Sequence, residues 1–196
     1  DDNEDDNEPT YHFYFASNGK KTVSTEKTIG NVKYTFDDRG VAQDSWVHNS
    51  DKGTWKYYGD EEEPKLHTGW FEAVPSKELN SNDHENGTTH WYYANSKGEI
   101  TIPTADGEVG VVKTIDGKSY LFNSDGEMVT GLRILTYDGS KITNISSEVD
   151  TADTVKNMNS DTMKLVYFES NGAAKTGTTT ITLDGTSYTF SFKSNG

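Results

Sequence analysis

The residues of this 196-residue sequence that could do chemistry are 32 aspartates and glutamates, five histidines, and the rings of 11 Tyr, 8 Phe and 4 Trp. No Gly-x-Ser-x-Gly elbow, P-loop or His-Glu-x-x-His pattern is present, so the common nucleophile, phosphate and zinc-hydrolase signatures are missing. His12, His48, His67, His84 and His90 lack helical zinc spacing and are expected at the surface. Glu78, Asp83, His84 and Glu85 have no recognisable ligand spacing, and Asn123 to Glu127 is too short for an EF-hand loop. No metal and no cofactor is therefore expected. With so many carboxylates a glycosidase pair stays open on residue types alone, but such a pair needs a deep pocket that raises one pKa. The shallow surface of the repeats described next offers none, and the expectation is a protein that is not an enzyme, with no catalytic residues. What remains is the rings: all four tryptophans fall between Trp46 and Trp91.

The elements that carry the rings repeat. Lys113 to Leu132 reads as strand, Asp116-Gly117 turn, aromatic strand with Tyr120 and Phe122, and a second turn at Asn123 to Gly126. The aromatic, three polar residues and Gly recur at Phe15–Gly19, Phe36–Gly40, Ala94–Gly98, Phe122–Gly126, Phe168–Gly172 and Phe192–Gly196, once with Ala in the aromatic place. Steps between the closing glycines are 21, 58, 28, 46 and 24 residues. A degenerate copy at Thr54 to Tyr58 divides the first long step, and the second holds an insertion. One hairpin cannot bury its aromatic face alone, so the fold class expected is all-β, an array of stacked antiparallel hairpins forming a β-solenoid with two inserted loops.

Composition agrees. Only 31% of residues are hydrophobic and 12% are aromatic, with 18 glycines, which fits small aromatic units better than one aliphatic core. A net charge of -14 disfavours nucleic acid and suits a cationic or neutral ligand such as a quaternary ammonium group or a sugar. The lack of cysteine is compatible with export, and no apolar run is long enough to span a membrane as a helix. The sequence opens at Asp1 with neither an initiator Met nor a signal peptide, as expected of a processed or trimmed chain.

In chain order, residues 1–9 are expected to be an acidic disordered tail or linker, and residues 10–196 the repeat domain, with insertions near 74–89 and 133–164. Tyr11 to Phe15 reads as a first aromatic strand, and Ile29-Gly30-Asn31-Val32 as a hairpin turn. Pro75 to Thr89 reads as a loop. Ile134 to Ile145 reads as one more hairpin, followed by a short helix from Ser146 to about Met158.

The segments GKSYLFNSDGEMVTGL, HWYYANSKGEI and VYFESNGAAKTG, with the Gly69-Trp70 pair, resemble the cell-wall-binding repeats of Gram-positive bacteria: choline-binding, glucan-binding and clostridial-toxin-type repeats. The resemblance runs from Thr10 to the end. It implies a secreted, wall-associated module that holds choline-bearing teichoic acid or glycan in shallow sites between repeats. In choline-binding repeats, rings from neighbouring units surround a trimethylammonium group by cation–π attraction. Carried over by position, Trp46, Trp55, Tyr57 and Trp70 make one cage, and Trp70, Trp91 and Tyr93 contribute to a second. Where Gly-Trp is expected, the sequence has Ser45-Trp46, Gly131-Leu132 and Gly177-Thr178, so the C-terminal repeats lack a ring for choline. Those substitutions keep open an adhesin that meets a host protein or glycan, or a structural spacer.

Overall fold

A computed structural model describes residues 9–193; the acidic run Asp1 to Glu8 and the Ser-Asn-Gly turn of the last block lie outside them. Among the described residues thirteen strands and two short helices occur, and no helix is long and apolar enough to cross a membrane. β1 (Thr25–Ile29) and β2 (Val32–Phe36) pair in antiparallel fashion, as do β3 (Trp46–Asn49) and β4 (Thr54–Tyr57). β5 (Gly69–Ala73) and β6 (His90–Ala94) form a third two-stranded sheet, with α1 (Ser81–Asn86) between them in sequence. β7 (Gly110–Ile115), β8 (Lys118–Asn123), β9 (Gly131–Asp138), β10 (Lys141–Ile145) and β11 (Met163–Phe168) join in one sheet of order β11-β9-β10-β7-β8. α2 (Ala152–Lys156) precedes β11, and β12 (Gly177–Leu183) pairs with β13 (Thr186–Phe192).

The chain divides into two compact units: the chain to Phe71 with Ala94–Ile100, and Glu72–Tyr93 with the chain from Thr101 on.

The repeated block has one geometry wherever it is described. Its first residue bridges the residue six later: Phe15 with Lys21, Phe36 with Ala42, Ala94 with Ile100, Phe122 with Met128, and Phe168 with Ala174. Its glycine sits in the left-handed region, at φ 76 for Gly19, 80 for Gly40, 79 for Gly98, 80 for Gly126 and 80 for Gly172. The polar letters have a cause too. Asp37, Asn95 and Asn123 each turn a side-chain oxygen back to accept two backbone N–H groups of their own turn, which satisfies donors that no strand reaches.

Four of the five described blocks, and the degenerate copy, then hand one backbone bond to an earlier segment. Ala42, Leu66 and Ile100 donate to the carbonyls of His12, Lys33 and Trp55 in the first unit, and Met128 and Ala174 to those of Trp91 and Ser119 in the second. Leu66 holds this place after the degenerate copy, which Gly59 follows with φ 76. The same residues roof the next glycine: a Cβ on Gly98 would stand 2.4 Å from Leu66 Cδ1, and one on Gly172 would meet Met128. Glycine is therefore required twice over at these turns, by φ and by space.

The aromatic places supply core. Phe36, Phe122 and Phe168 are buried, while in the second unit Leu132, Ile134, Val149, Leu183 and Phe192 form one cluster and Leu121, Leu135, Ile142, Val166 and Phe168 another. Burying one such ring is worth roughly 2–3 kcal/mol.

The antiparallel hairpins are as expected, including β9 to β10 around Asp138-Gly139, and so is a short helix before Met158, but neither insertion is an open loop. Residues 133–164 contain strand and helix, and they fuse β7 to β11 into one sheet because β9 pairs with β10 on one side and β11 on the other, while β10 pairs with β7. The stretch near 74–89 contains α1, capped by the Asn80 side chain accepting from the Asp83 N–H and ended by Gly87 at φ 65. Ser146 does not start the second helix. Its hydroxyl accepts from the Ile134 N–H and donates to the Ser147 carbonyl, and Thr151 is the cap instead. Tyr11 to Phe15 is no regular strand either: only Phe15 bridges, and Tyr11, Phe13 and Phe15 are exposed.

Candidate functional site

The register of β3 on β4 sets Trp46 opposite Tyr57 and His48 opposite Trp55. Strand alternation puts all four rings on one face of the hairpin. They separate into two contacts. His48 stacks flat on Trp55 at 4.2 Å between centroids and 2° between planes, and Trp55 is buried beneath it. Trp46 and Tyr57 tilt together at 4.9 Å.

Two further rings complete a cluster around Trp46 and Tyr57. Phe71 of β5 lies 6.1 Å from Trp46 and 5.3 Å from Tyr57, parallel to the latter within 6°. His67 lies 5.1 Å from Tyr57 and 5.3 Å from Phe71, held there by its backbone N–H donating to the Tyr57 carbonyl at 2.9 Å. Trp46, Tyr57 and His67 are half-buried and Phe71 is buried, so the cluster has a floor and a partly open rim.

The charge around it is acidic. Burial, then the charges of Asp60 and Asp44, push the Tyr57 hydroxyl above its ordinary value. Burial, reinforced by Lys65, holds His67 below the usual imidazole value and favours its neutral form. Beside Trp46 opens a cavity of about 290 Å³, whose walls carry Asp37, Asp44, Glu61 and Arg39. Arg39 pairs with Asp37 at 3.4 Å, which leaves Asp44 and Glu61 as charge in excess. The sign of this neighbourhood suits a small organic cation, and Trp46 gives the cavity an aromatic wall.

Of the residues singled out in the sequence, Trp46 and Tyr57 are brought together, while Trp55 is turned into the His48 stack. Trp70 is half-buried on the opposite face of β5 from Phe71, so its neighbour takes the place beside Trp46. Trp91 and Tyr93 belong to the second unit, where Trp91 is 45% exposed. Tyr93 carries Lys113 Nζ over its ring at 5.8 Å, a cation supplied by the chain itself. Phe71 was not singled out, and His67, expected at the surface, is half-buried against Tyr57 and Phe71 instead. The signal for Phe71 was its place after Gly69-Trp70 in an alternating strand; His67 carried none.

The Gly-Trp departures have a backbone counterpart. Gly69, Gly131 and Gly177 take φ 71, 88 and 75, and Ser45 takes φ 57 at the equivalent place. A left-handed residue thus opens these strands whatever follows it.

No family model matches the sequence, and no curated protein matches it. Solved structures do. The chain is similar to CbpJ from Streptococcus pneumoniae TIGR4, with 20% identity, a TM-score of 0.55, and coverage of 95% of this chain and 44% of that one. It is similar to choline binding protein F from Streptococcus pneumoniae, with 19% identity, a TM-score of 0.54, and coverage of 95% and 46%. A structure of protein F in the presence of a peptidoglycan analogue matches at 19% identity and a TM-score of 0.51, covering 87% and 42%. The chain thus has the fold of these choline-binding proteins and spans less than half the length of each.

Proposed function

We propose, from a fold shared with pneumococcal choline-binding proteins and a ring cluster whose Trp46 lines an acidic cavity, that this chain is a non-catalytic cell-surface binding module. It attaches a secreted protein to the Gram-positive wall through choline-bearing teichoic acid or glycan. Residues 10–196 act as one repeat domain, a β-solenoid of successive hairpins, behind an acidic linker at 1–9. The observation that carries the reading is the cluster of Trp46, Tyr57, His67 and Phe71, whose Trp46 shares a cavity wall with Asp44 and Glu61.

The physics is differential hydration. A trimethylammonium group is weakly hydrated, so it exchanges water for ring faces at small cost, and each face returns roughly 0.5–2 kcal/mol. Three faces at ~1.3 kcal/mol give about 4 kcal/mol, a dissociation constant near 1 mM for a single choline. Affinity for a polymer then comes from engaging several sites at once. Trp91, exposed on the second unit, favours a glycan as a further ligand, since a sugar face stacks on a flat exposed ring.

Tryptophan fluorescence during titration with choline, then with wall polysaccharides and glucans, tests the reading. A saturable millimolar response to choline that disappears in Trp46→Ala and persists in Trp91→Ala is expected. No response to choline or any wall polymer would sink it, and the search would turn to protein partners.

A further inference from the structure

Three titratable side chains outside the aromatic cluster converge from separate elements of the second unit. Asp83 lies in α1, His90 opens β6, and Glu127 closes the block after β8. His90 Nε2 stands 2.8 Å from Asp83 Oδ2 and 3.6 Å from Glu127 Oε1, and one ligand atom from each of the three lies within 4.8 Å of the others.

Glu127 makes the cluster more than a surface ion pair. It is the buried charged residue among the described residues, 7% exposed. Its two oxygens are fixed separately: Oε1 accepts from Asn80 Nδ2 at 2.9 Å and Oε2 from Asn123 Nδ2 at 2.9 Å. Asn80 Nδ2 also donates to Asp83 Oδ2 at 3.0 Å, so both carboxylates are oriented by neutral amides. Carboxylates set by amide donors and converging on one imidazole are the outer arrangement that metal ligands use. A protonated imidazole brings one positive charge to two carboxylates; a divalent ion brings two.

We propose that Asp83, His90 and Glu127 form a three-ligand site for a divalent transition ion of the Zn²⁺ class. Ligand atoms about 2.0–2.2 Å from a tetrahedral ion stand about 3.4 Å apart, and the two His90 separations bracket that edge. One nitrogen with two oxygens suits Zn²⁺ or its first-row neighbours, whereas Ca²⁺ wants six to eight oxygens. His90 and Glu127 also line a cavity of about 560 Å³, which leaves room for a fourth ligand from solvent or a bound molecule. An ion here would clamp α1 and β6 to the block turn at Glu127. The site is independent of the aromatic cluster.

Calorimetric titration of the full chain with ZnCl₂ tests it. One ion per chain is expected, weakened at least about tenfold in Asp83→Asn and in Glu127→Gln. Binding should be unchanged in His84→Ala, whose Nδ1 lies 2.8 Å from the Pro75 carbonyl oxygen instead. Should Glu127→Gln fail to fold, Asp83→Asn at the half-buried rim carries the test. Absent saturable binding, binding undiminished in Asp83→Asn, or a preference for Ca²⁺ over Zn²⁺ would each overturn the proposal and leave the triad a hydrogen-bonded charge network.

Discussion

Replacing Gly98 by Ala tests whether the repeats are held by the close approach of one block to the side chain above it. Gly98 has φ 79, and a Cβ there would lie 2.4 Å from Leu66 Cδ1, 2.7 Å from Cγ and 2.8 Å from Cδ2. Gly19 occupies the same place in the first block at φ 76, with nothing within 4 Å of its Cβ position. Both substitutions meet the left-handed penalty of about 1–2 kcal/mol. Both also regain about 0.4–1 kcal/mol from a stiffer unfolded chain. Only Gly98→Ala adds overpacking, about 1–3 kcal/mol, because Leu66 is itself buried and cannot swing into solvent. Urea unfolding followed by far-ultraviolet circular dichroism should place Gly98→Ala about 1–3 kcal/mol below Gly19→Ala. In a Leu66→Ala background the increment of Gly98→Ala should shrink to that of Gly19→Ala. Equal losses at the two glycines, or an increment untouched by removing Leu66, would refute the reasoning.

Other expectations follow from the same geometry. Phe122→Ala, which empties a fully buried place, should cost about 3–5 kcal/mol by the same unfolding assay. Ser45→Gly should raise stability by a few tenths to about 1 kcal/mol, since Ser45 sits at φ 57; a loss would mean its side chain does more than tolerate the turn. Burial lowers the folded pKa of His67 below the ordinary 6.5, so protons bind the unfolded chain first. Stability should therefore fall as pH drops from about 6.5 towards the folded value, and choline affinity should fall as His67 itself becomes charged. His67→Phe should flatten both profiles, measured by thermal melts and by choline titration between pH 5 and 8.

The blocks were legible because their chemistry is local. An Asn or Asp that caps its own turn and a glycine that must be left-handed leave their letters within five residues, and five described blocks share the geometry. The hairpin turns at Asn31, Asp116 and Asp184 were legible for the same reason: each takes positive φ beside a glycine that does likewise. The five-stranded sheet was not, because pairing β9 with β11 depends on register between distant segments whose residues look alike from both sides. Ser146 misled because a serine before a polar run reads as a cap, while its hydroxyl is spent on the Ile134 N–H across the sheet. In the ring cluster, Trp46 and Tyr57 could be read because a hairpin places them opposite each other. Phe71 could have been, from its place after Gly69-Trp70 in an alternating strand, but His67 could not, since a half-buried neutral histidine has no sequence signature. Asp83, His90 and Glu127 escaped for the topological reason: the expected ligand spacing belongs to one helix, and here three elements each give one ligand.

The self-contained turn has a consequence for how such a chain can change over time. Each described block closes its own backbone bonds within seven residues, and four of the five reach an earlier segment through a single donor just beyond the glycine. A duplication or excision with both ends in the hairpin loops therefore leaves every block whole and every donor facing a carbonyl. The long steps between glycines obey this rule: the additions near 74–89 and 133–164 lie between blocks and interrupt none. Recombination at the loops can lengthen or shorten the array, and the segments between blocks are where a lineage is free to try out a helix, a new strand pair or an ion site.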